Sequence, residues 1–405
     1  MMGSEVPTVM NIAPYRHVLA QPGMRWLMFV GLLARIPATA AGMAITLHVV
    51  TSLDLNFTEA GIAGAVTMAG VGVGSPILGR LVDKVGLRPV FAVTTIAQAI
   101  YWAAAPSLSY PVLVVSAGLA GFASLPIFSV MRQFVAALVT QEHRRPAFAL
   151  DSMAVELSYM AGPALAVAAV TAFGSPATLY GVGAGLVLAG IVLFAMNPPI
   201  RSAAEEQEQA DAAPIPRRQW LRPSFLMLLV VTAATTLILS ATELSVVAVL
   251  EGAGSTQWTG LVIALWCVYS LIGGFVYGAL SRGLSPLVLT AGLGALTIPL
   301  ALLAGPWWWL IAALIPCGLL CAPSLASTVD SVSQLVPAAA RGEAMGLHGT
   351  ALTCGIAIGA PFAGAIIDNL GPQWGFAAAG LTGVLIVAVA IPFWQRTPRP
   401  ALTFD

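Results

Sequence analysis

Ionisable side chains interrupt long apolar runs of this sequence, among them Arg35, Arg132, Glu156, Glu243, Asp330 and His348. A charged or titratable group in hydrocarbon must be paired, reach water or perform a function. Arg35 lies nine residues past Trp26, roughly 14 Å into a bilayer at about 1.5 Å per residue. Pro37 follows it and loosens the helix locally. An arginine keeps its proton, so it calls for an acid or a wet cavity. Glu156 stands at similar depth in a later apolar run, and an Arg35–Glu156 pair is the leading expectation. The chemistry of such a pair is proton carriage or recognition of a charged substrate group. A purely structural ion pair between two helices is the alternative. Glu243 and His48 fall near run ends, where both are expected to reach water. His348, beside small residues, reads as a packing donor rather than a titrating site. No phosphate-binding loop, nucleophile motif or zinc motif is present, so the chain is not expected to be an enzyme and implies no cofactor.

The elements that position these groups are apolar helices. The chain is 58% hydrophobic and 8% charged, with mean hydropathy +0.90. That charge is too little to clothe a soluble surface, so the bilayer is the solvent. Apolar runs fall at 26–50, 59–79, 89–108, 111–135, 148–173 and 177–196, then 224–247, 258–280, 286–304, 307–333, 343–367 and 374–394. Between the two sets of six lies 197–223, with Pro198, Pro199, Pro214, Pro216 and the acidic run Glu205–Glu208. It reads as a solvated linker. The expected organisation is an N-terminal bundle over 1–196 and a C-terminal bundle over 224–405. Arg80, Lys84, Arg88, Arg144, Arg145, Arg201, Arg217, Arg218, Arg222, Arg282, Arg341, Arg396 and Arg399 sit at the termini or after even-numbered runs. Loops after odd-numbered runs carry Asp54, Glu251 and Asp368 instead. The positive-inside rule then places both termini and the linker in the cytoplasm. Cys267, Cys317, Cys321 and Cys354 all fall in apolar runs and are expected to be free thiols without a metal. Net charge is zero, which offers nucleic acid nothing, and no cleavable signal peptide is visible.

Gly79-Arg-Leu81-Val-Asp83-Lys84-Val-Gly86-Leu-Arg88 joins the second and third runs. It resembles the loop signature between helices 2 and 3 of major facilitator superfamily transporters. Gly79, Leu81, Asp83, Lys84, Gly86 and Arg88 match that pattern, while Leu87 departs where a base is usual. Gly162-Pro163 in the fifth run resembles part of the antiporter signature of efflux members, with Ala149, Ser158 and Ala166 where glycines are usual. The helix-4 signature keeps Gly121 but has Ala117 in place of its arginine. The resemblance implies twelve transmembrane helices in two pseudo-symmetric six-helix bundles around a central cavity, an all-α membrane protein.

A repeat supports the duplication. Pro126…Arg145…Gly162-Pro163 recurs as Pro323…Arg341…Gly359-Ala-Pro361, about 197 residues later. Tyr277-Gly278-Ala-Leu-Ser-Arg282-Gly283 stands where the loop signature would recur, without its acid. At an offset of 198 Arg132 corresponds to Asp330, so the two are candidates for a gate across the bundles. Asp151 is the competing partner for Arg132. Asp83 is expected at the start of helix 11, with Gly342, Gly346 and Gly349 meeting Gly70, Gly74 and Gly79. The resemblance implies a secondary transporter of the cell membrane, multi-pass and monomeric, with protons as coupling ion and a small-molecule substrate. Few polar groups in the helices suggest export of a small, largely apolar compound. The alternatives are a proton-coupled importer of a small organic anion or nutrient, and a non-transporting membrane sensor or scaffold.

Overall fold

The computed structural model describes residues 13–55, 57–201, 216–280, 283–302 and 306–394. The acidic run Glu205–Glu208, Arg282, Arg396 and Arg399 lie outside the described residues. Among those described there is no β-strand, and ten helices are long and apolar enough to cross a membrane. They are α2 (Met24–Thr51), α3 (Phe57–Val85), α5 with α6 (Tyr110–Phe122, Ile127–Leu138), α7 (Arg144–Phe173), α8 (Ser175–Met196), α10 (Pro223–Gly252), α11 (Thr259–Ala279), α13 (Trp309–Leu335), α14 (Arg341–Leu370) and α15 (Trp374–Trp394). The two remaining expected spans are α4 (Leu87–Ala104) and α12 (Pro286–Thr297), the latter extended by a 3-10 turn to Leu302. Two short helices, α1 (Ala13–Ala20) and α9 (Arg217–Trp220), precede the halves. Helices are what a bilayer permits here, because each satisfies its backbone within one segment.

Span 4 is broken, which the sequence reading did not anticipate. Pro126 lacks an N–H and caps α6, leaving a non-helical step at 123–126. Gln98 on α4 repairs the break, its Nε2 donating to the carbonyls of Ala120 at 2.8 Å and Ala123 at 3.2 Å. Pro323, its counterpart, sits inside an unbroken α13, and Pro163 likewise leaves α7 continuous.

The two halves repeat each other in packing. In the first, α2 packs on α7, α3 on α5 and α4 on α8; in the second, α10 packs on α14, α11 on α13 and α12 on α15. The same residues mediate both copies. Gly162 lets α7 approach α2, where a Cβ would come 2.8 Å from Ala40 N, and Thr39 donates to Ser158 O at 2.7 Å. Gly359 stands 2.8 Å in the same sense from Leu237 O, and Thr236 donates to Leu352 O at 3.0 Å. Thr236 and Gly359 follow Thr39 and Gly162 by 197 residues.

Contacts between halves run along α3–α14, α7–α11, α7–α13 and α6–α14. They gather toward the end of the molecule that carries the 85–87 turn and the arginines after even-numbered spans, here called the basic end. The inter-half hydrogen bonds described reach no further from that end than Gly72–Thr350 and Glu156–Ser270, near mid-helix. Among the described residues, hydrogen bonding between the halves is thus confined to the part of the molecule nearer the basic end.

Candidate functional site

Two constellations occupy this part of the molecule. The first is the joint at its rim. Asp83 Oδ1 accepts from the Gly342 N–H at 2.9 Å and Oδ2 from the Glu343 N–H at 2.8 Å. These amides open α14 and have no partner within the helix, so an anion belongs there. Gly79 makes the approach possible: a Cβ would stand 2.2 Å from Gly342 O. Gly86, at φ 84°, turns the chain directly after α3. Arg201 donates to Asp83 O at 3.0 Å, and Glu343 receives Arg217 and, at 3.6 Å, Arg80. Both described ends of the linker thus grip the joint, although its composition read only as solvated. Lys84 is exposed, and Arg88 packs on the Phe194 ring at 5.7 Å within its own half.

The glycine expectation is corrected in part. Gly346 and Gly349 meet Ser75 on α3, and Thr350 donates to Gly72 O at 2.7 Å. Gly70 and Gly74 instead face Gly118 and Phe122 of α5. The cause is angular: Gly74 and Gly79 are five residues apart, hence turned about 140° from each other at 3.6 residues per turn. One face of α3 serves its own half and the other the partner half.

Beneath the joint lies a buried ion network. Arg35 Nη2 donates to Asp151 Oδ1 at 2.6 Å, and Arg132 Nε stands 3.8 Å from Asp151 Oδ2. Arg35, Asp151 and Arg132 are 0%, 1% and 5% exposed. The expected Arg35–Glu156 pair does not form. Asp151 and Glu156 are also five apart, so α7 turns Asp151 toward α2 and Glu156 toward α11. Glu156 Oε1 there accepts from Ser270 Oγ, whose oxygen accepts from the Ala322 N–H at 2.9 Å. Glu156 Oε2 is buried without a hydrogen-bond partner. The Arg132–Asp330 gate does not form either. Arg132 turns to Asp151 and to His348, with Nη1 3.1 Å from Nδ1, while Asp330 accepts from Gln334 at 2.9 Å. The attraction of a carboxylate in the same bundle outweighs a partner across the axis.

Phe128 covers this network. Its ring lies 5.3 Å from the Arg35 guanidinium carbon and 6.1 Å from Tyr159, which is 51% exposed. Tyr15 on α1 adds a strap across the basic end: it stacks on Phe275 of α11 at 4.8 Å and donates to its carbonyl. Burial pushes the Tyr15 hydroxyl up to about 12. His48 is buried rather than solvated, 2.9 Å from Ser175 Oγ, because α2 runs on to Thr51 and turns it against α8. The four cysteines are free, and among the described residues no three metal-ligating side chains converge.

The family model described as Major Facilitator Superfamily matches residues 27–287 and 252–404. The chain belongs to that superfamily. It is a multi-pass membrane transporter working by alternating access, not an enzyme. Among solved structures it is similar to a bacterial homologue of the iron transporter ferroportin in an outward-facing state with soaked iron. That likeness has TM-score 0.71 and 16% identity, covering 92% of this chain and 99% of that one. It is also similar to the human organic anion transporter MFSD10 (TETRAN), at TM-score 0.67 and 16% identity over 93% and 99% of the two chains. At such identity these likenesses speak for the fold. No curated protein matches the sequence. The superfamily's helix-4 arginine, absent at Ala117, has no replacement there; Gly121 packs against Thr67 O of α3.

Proposed function

We propose that this transporter exports a small, largely apolar compound across the cell membrane in exchange for protons. The observation that carries this reading is the Glu156–Ser270 bond. It joins the bundles near mid-helix, with a second carboxylate oxygen left buried and unpartnered. A proton can add at Oε2 while Oε1 keeps the Ser270 bond, so Glu156 can carry it as the bundles part. The bodies that rock are residues 1–196 and 224–405, joined by 197–223, and the chain works as a monomer. The basic end faces the cytoplasm, by the positive-inside rule, so the cleft opens outward. Gly79, Asp83 and Gly86 form the gate that closes the cytoplasmic side, with Lys84 and Arg88 as its flanking bases. Gly162 and Pro163 hold α7 on α2 beside the ion network.

One observation favours a second reading, import of an organic anion: two arginines share the single acid Asp151, and Arg35 keeps Nε and Nη1 without partners. The human organic anion transporter that the chain resembles agrees in kind. Proteoliposomes with a pH-sensitive dye inside separate the two. Tetraphenylphosphonium and ethidium, lipophilic cations, serve as the largely apolar probes and p-aminohippurate as the anionic one. Exchange of protons for an apolar probe supports export. Co-movement of protons with the anion supports import and refutes export. Glu156→Gln should keep probe binding and lose pH-driven movement.

A further inference from the structure

His348 sits at the contact between bundles, fully buried, with a partner on either side. From the other half, Arg132 on α6 brings Nη1 to 3.1 Å from Nδ1. From its own half, Thr328 on α13 brings Oγ1 to 2.9 Å from Nε2. The proton positions follow from the chemistry of these neighbours. A guanidinium has donors only, so Nδ1 must offer a lone pair. The Thr328 hydroxyl spends its one proton on Leu325 O at 2.7 Å. Nε2 must therefore carry the ring hydrogen and donate to Thr328 Oγ1. The closed structure thus fixes a neutral imidazole in one tautomer. A second proton has one place to go, the Nδ1 lone pair, and that is the position Arg132 occupies. Adding it would delete the hydrogen bond between bundles and set a cation against a cation.

We propose that His348 is a proton-binding site whose occupancy unlocks the bundles at the basic end. No covalent bond changes: a proton from water adds to Nδ1 as Arg132 withdraws, and closure requires its release. By linkage, the open state binds this proton more tightly than the closed one. The groups that face the ring support that assignment. From α6 comes Arg132, which Asp151 of α7 and Arg35 of α2 hold in place. From α13 comes Thr328, with Asp330 two residues on and held by Gln334. From α3, Arg80 and Asp83 engage Glu343 and the first amides of α14, five residues before His348. The acids of α10, Glu243 and Glu251, stand toward its far end, and α15 carries no charged side chain. Among the described residues no carboxylate contacts the ring to retain the proton once the bundles close. This site does not rest on Glu156 as carrier or on the direction of transport.

The test reads conformation rather than transport. In full-length protein with the four native cysteines replaced by serine, spin labels at Gln141→Cys and Arg222→Cys report separation at the basic end in lipid nanodiscs. Imidazole in water has an ordinary value of about 6.5, which the range from about pH 8 to about pH 5 brackets. Lowering the pH from about 8 to about 5 should then raise the open-to-closed ratio about thirty-fold. His348→Gln preserves an acceptor and a donor but cannot take the proton, and should remove the response while staying closed. His348→Asn serves if the glutamine variant does not fold. Arg132→Gln should leave the basic end open at both pH values. Glu156→Gln should retain the step, which separates this site from the proposed carrier. A wild-type ratio that does not move, or a step that survives in both His348→Gln and His348→Asn, overturns the proposal.

Discussion

Replacing Asp83 by Asn tests whether the rim joint holds the closed state. The native carboxylate receives two backbone N–H groups at 2.9 and 2.8 Å and lies 3.9 Å from Arg201 Nη2. The amide of Asn keeps one acceptor oxygen and turns an NH₂ toward the other N–H. A hydrogen bond to a charged group contributes about 1.5–3 kcal/mol. The largely buried Arg201 guanidinium adds a further, longer-range attraction. A loss of about 2 kcal/mol corresponds to about a thirty-fold shift from closed toward open at the basic end. The spin-label pair at Gln141 and Arg222 measures it, with Asp83→Glu as a control that keeps the charge. Since the change acts on a balance between two folded states, thermal stability should move less than the state ratio does. A ratio within three-fold of wild type would show that the joint is a solvated turn resting on α14, and the reasoning from unpaired helix amides would fail.

Gly79→Ala should open the basic end as strongly as Asp83→Asn, because its Cβ meets the Gly342 carbonyl at 2.2 Å and backbone cannot yield; cysteine-labelling rates at Gln141→Cys check it. Asp151→Asn should lower stability by about 3–5 kcal/mol, since it strands two buried guanidinium groups. Glu156→Gln should cost far less in the same thermal-unfolding assay, and equal losses would contradict the pairing seen. Tyr15→Phe should loosen closure at the basic end. The raised Tyr15 value sets the sign of its pH dependence: the wild-type strap is complete below about pH 10 and is lost as the pH rises toward about 12. Tyr15→Phe should show no matching change in label distance across that window.

The fold was legible because hydrocarbon imposes one rule on every span, and residue composition alone registers it. The duplication was legible too, since Gly162 and Gly359 are placed by the same helix contact twice. Asp83 could be placed because a lone acid in a basic turn has few anion sites within reach. The ion network could not be read in the same way. Depth was counted from the edges of the apolar runs, which set Glu156 level with Arg35 and left Asp151 near the rim. In the structure α7 begins at Arg144, and the long arginine side chain reaches back toward the basic end. Counting residues also carries no angle, and the choice between Asp151 and Glu156 is a matter of about 140° on one helix.

That same turn divides the labour of α7. The face bearing Asp151, Ser158 and Gly162 is committed to α2: an ion pair, a threonine cap and a close approach hold it there. Breaking any of these strands a buried group, so this face moves with its bundle. Glu156 itself meets α11 through one hydrogen bond, from the Ser270 hydroxyl. It can part at small cost, because a serine and a carboxylate are readily satisfied by water once the cleft reaches them. Arg132 has both characters, anchored to Asp151 behind and touching His348 ahead. The rocking surface therefore runs between Arg132 and His348 and between Glu156 and Ser270. Both contacts lie on the surface that must open, while the Arg35–Asp151 pair behind them stays within one bundle.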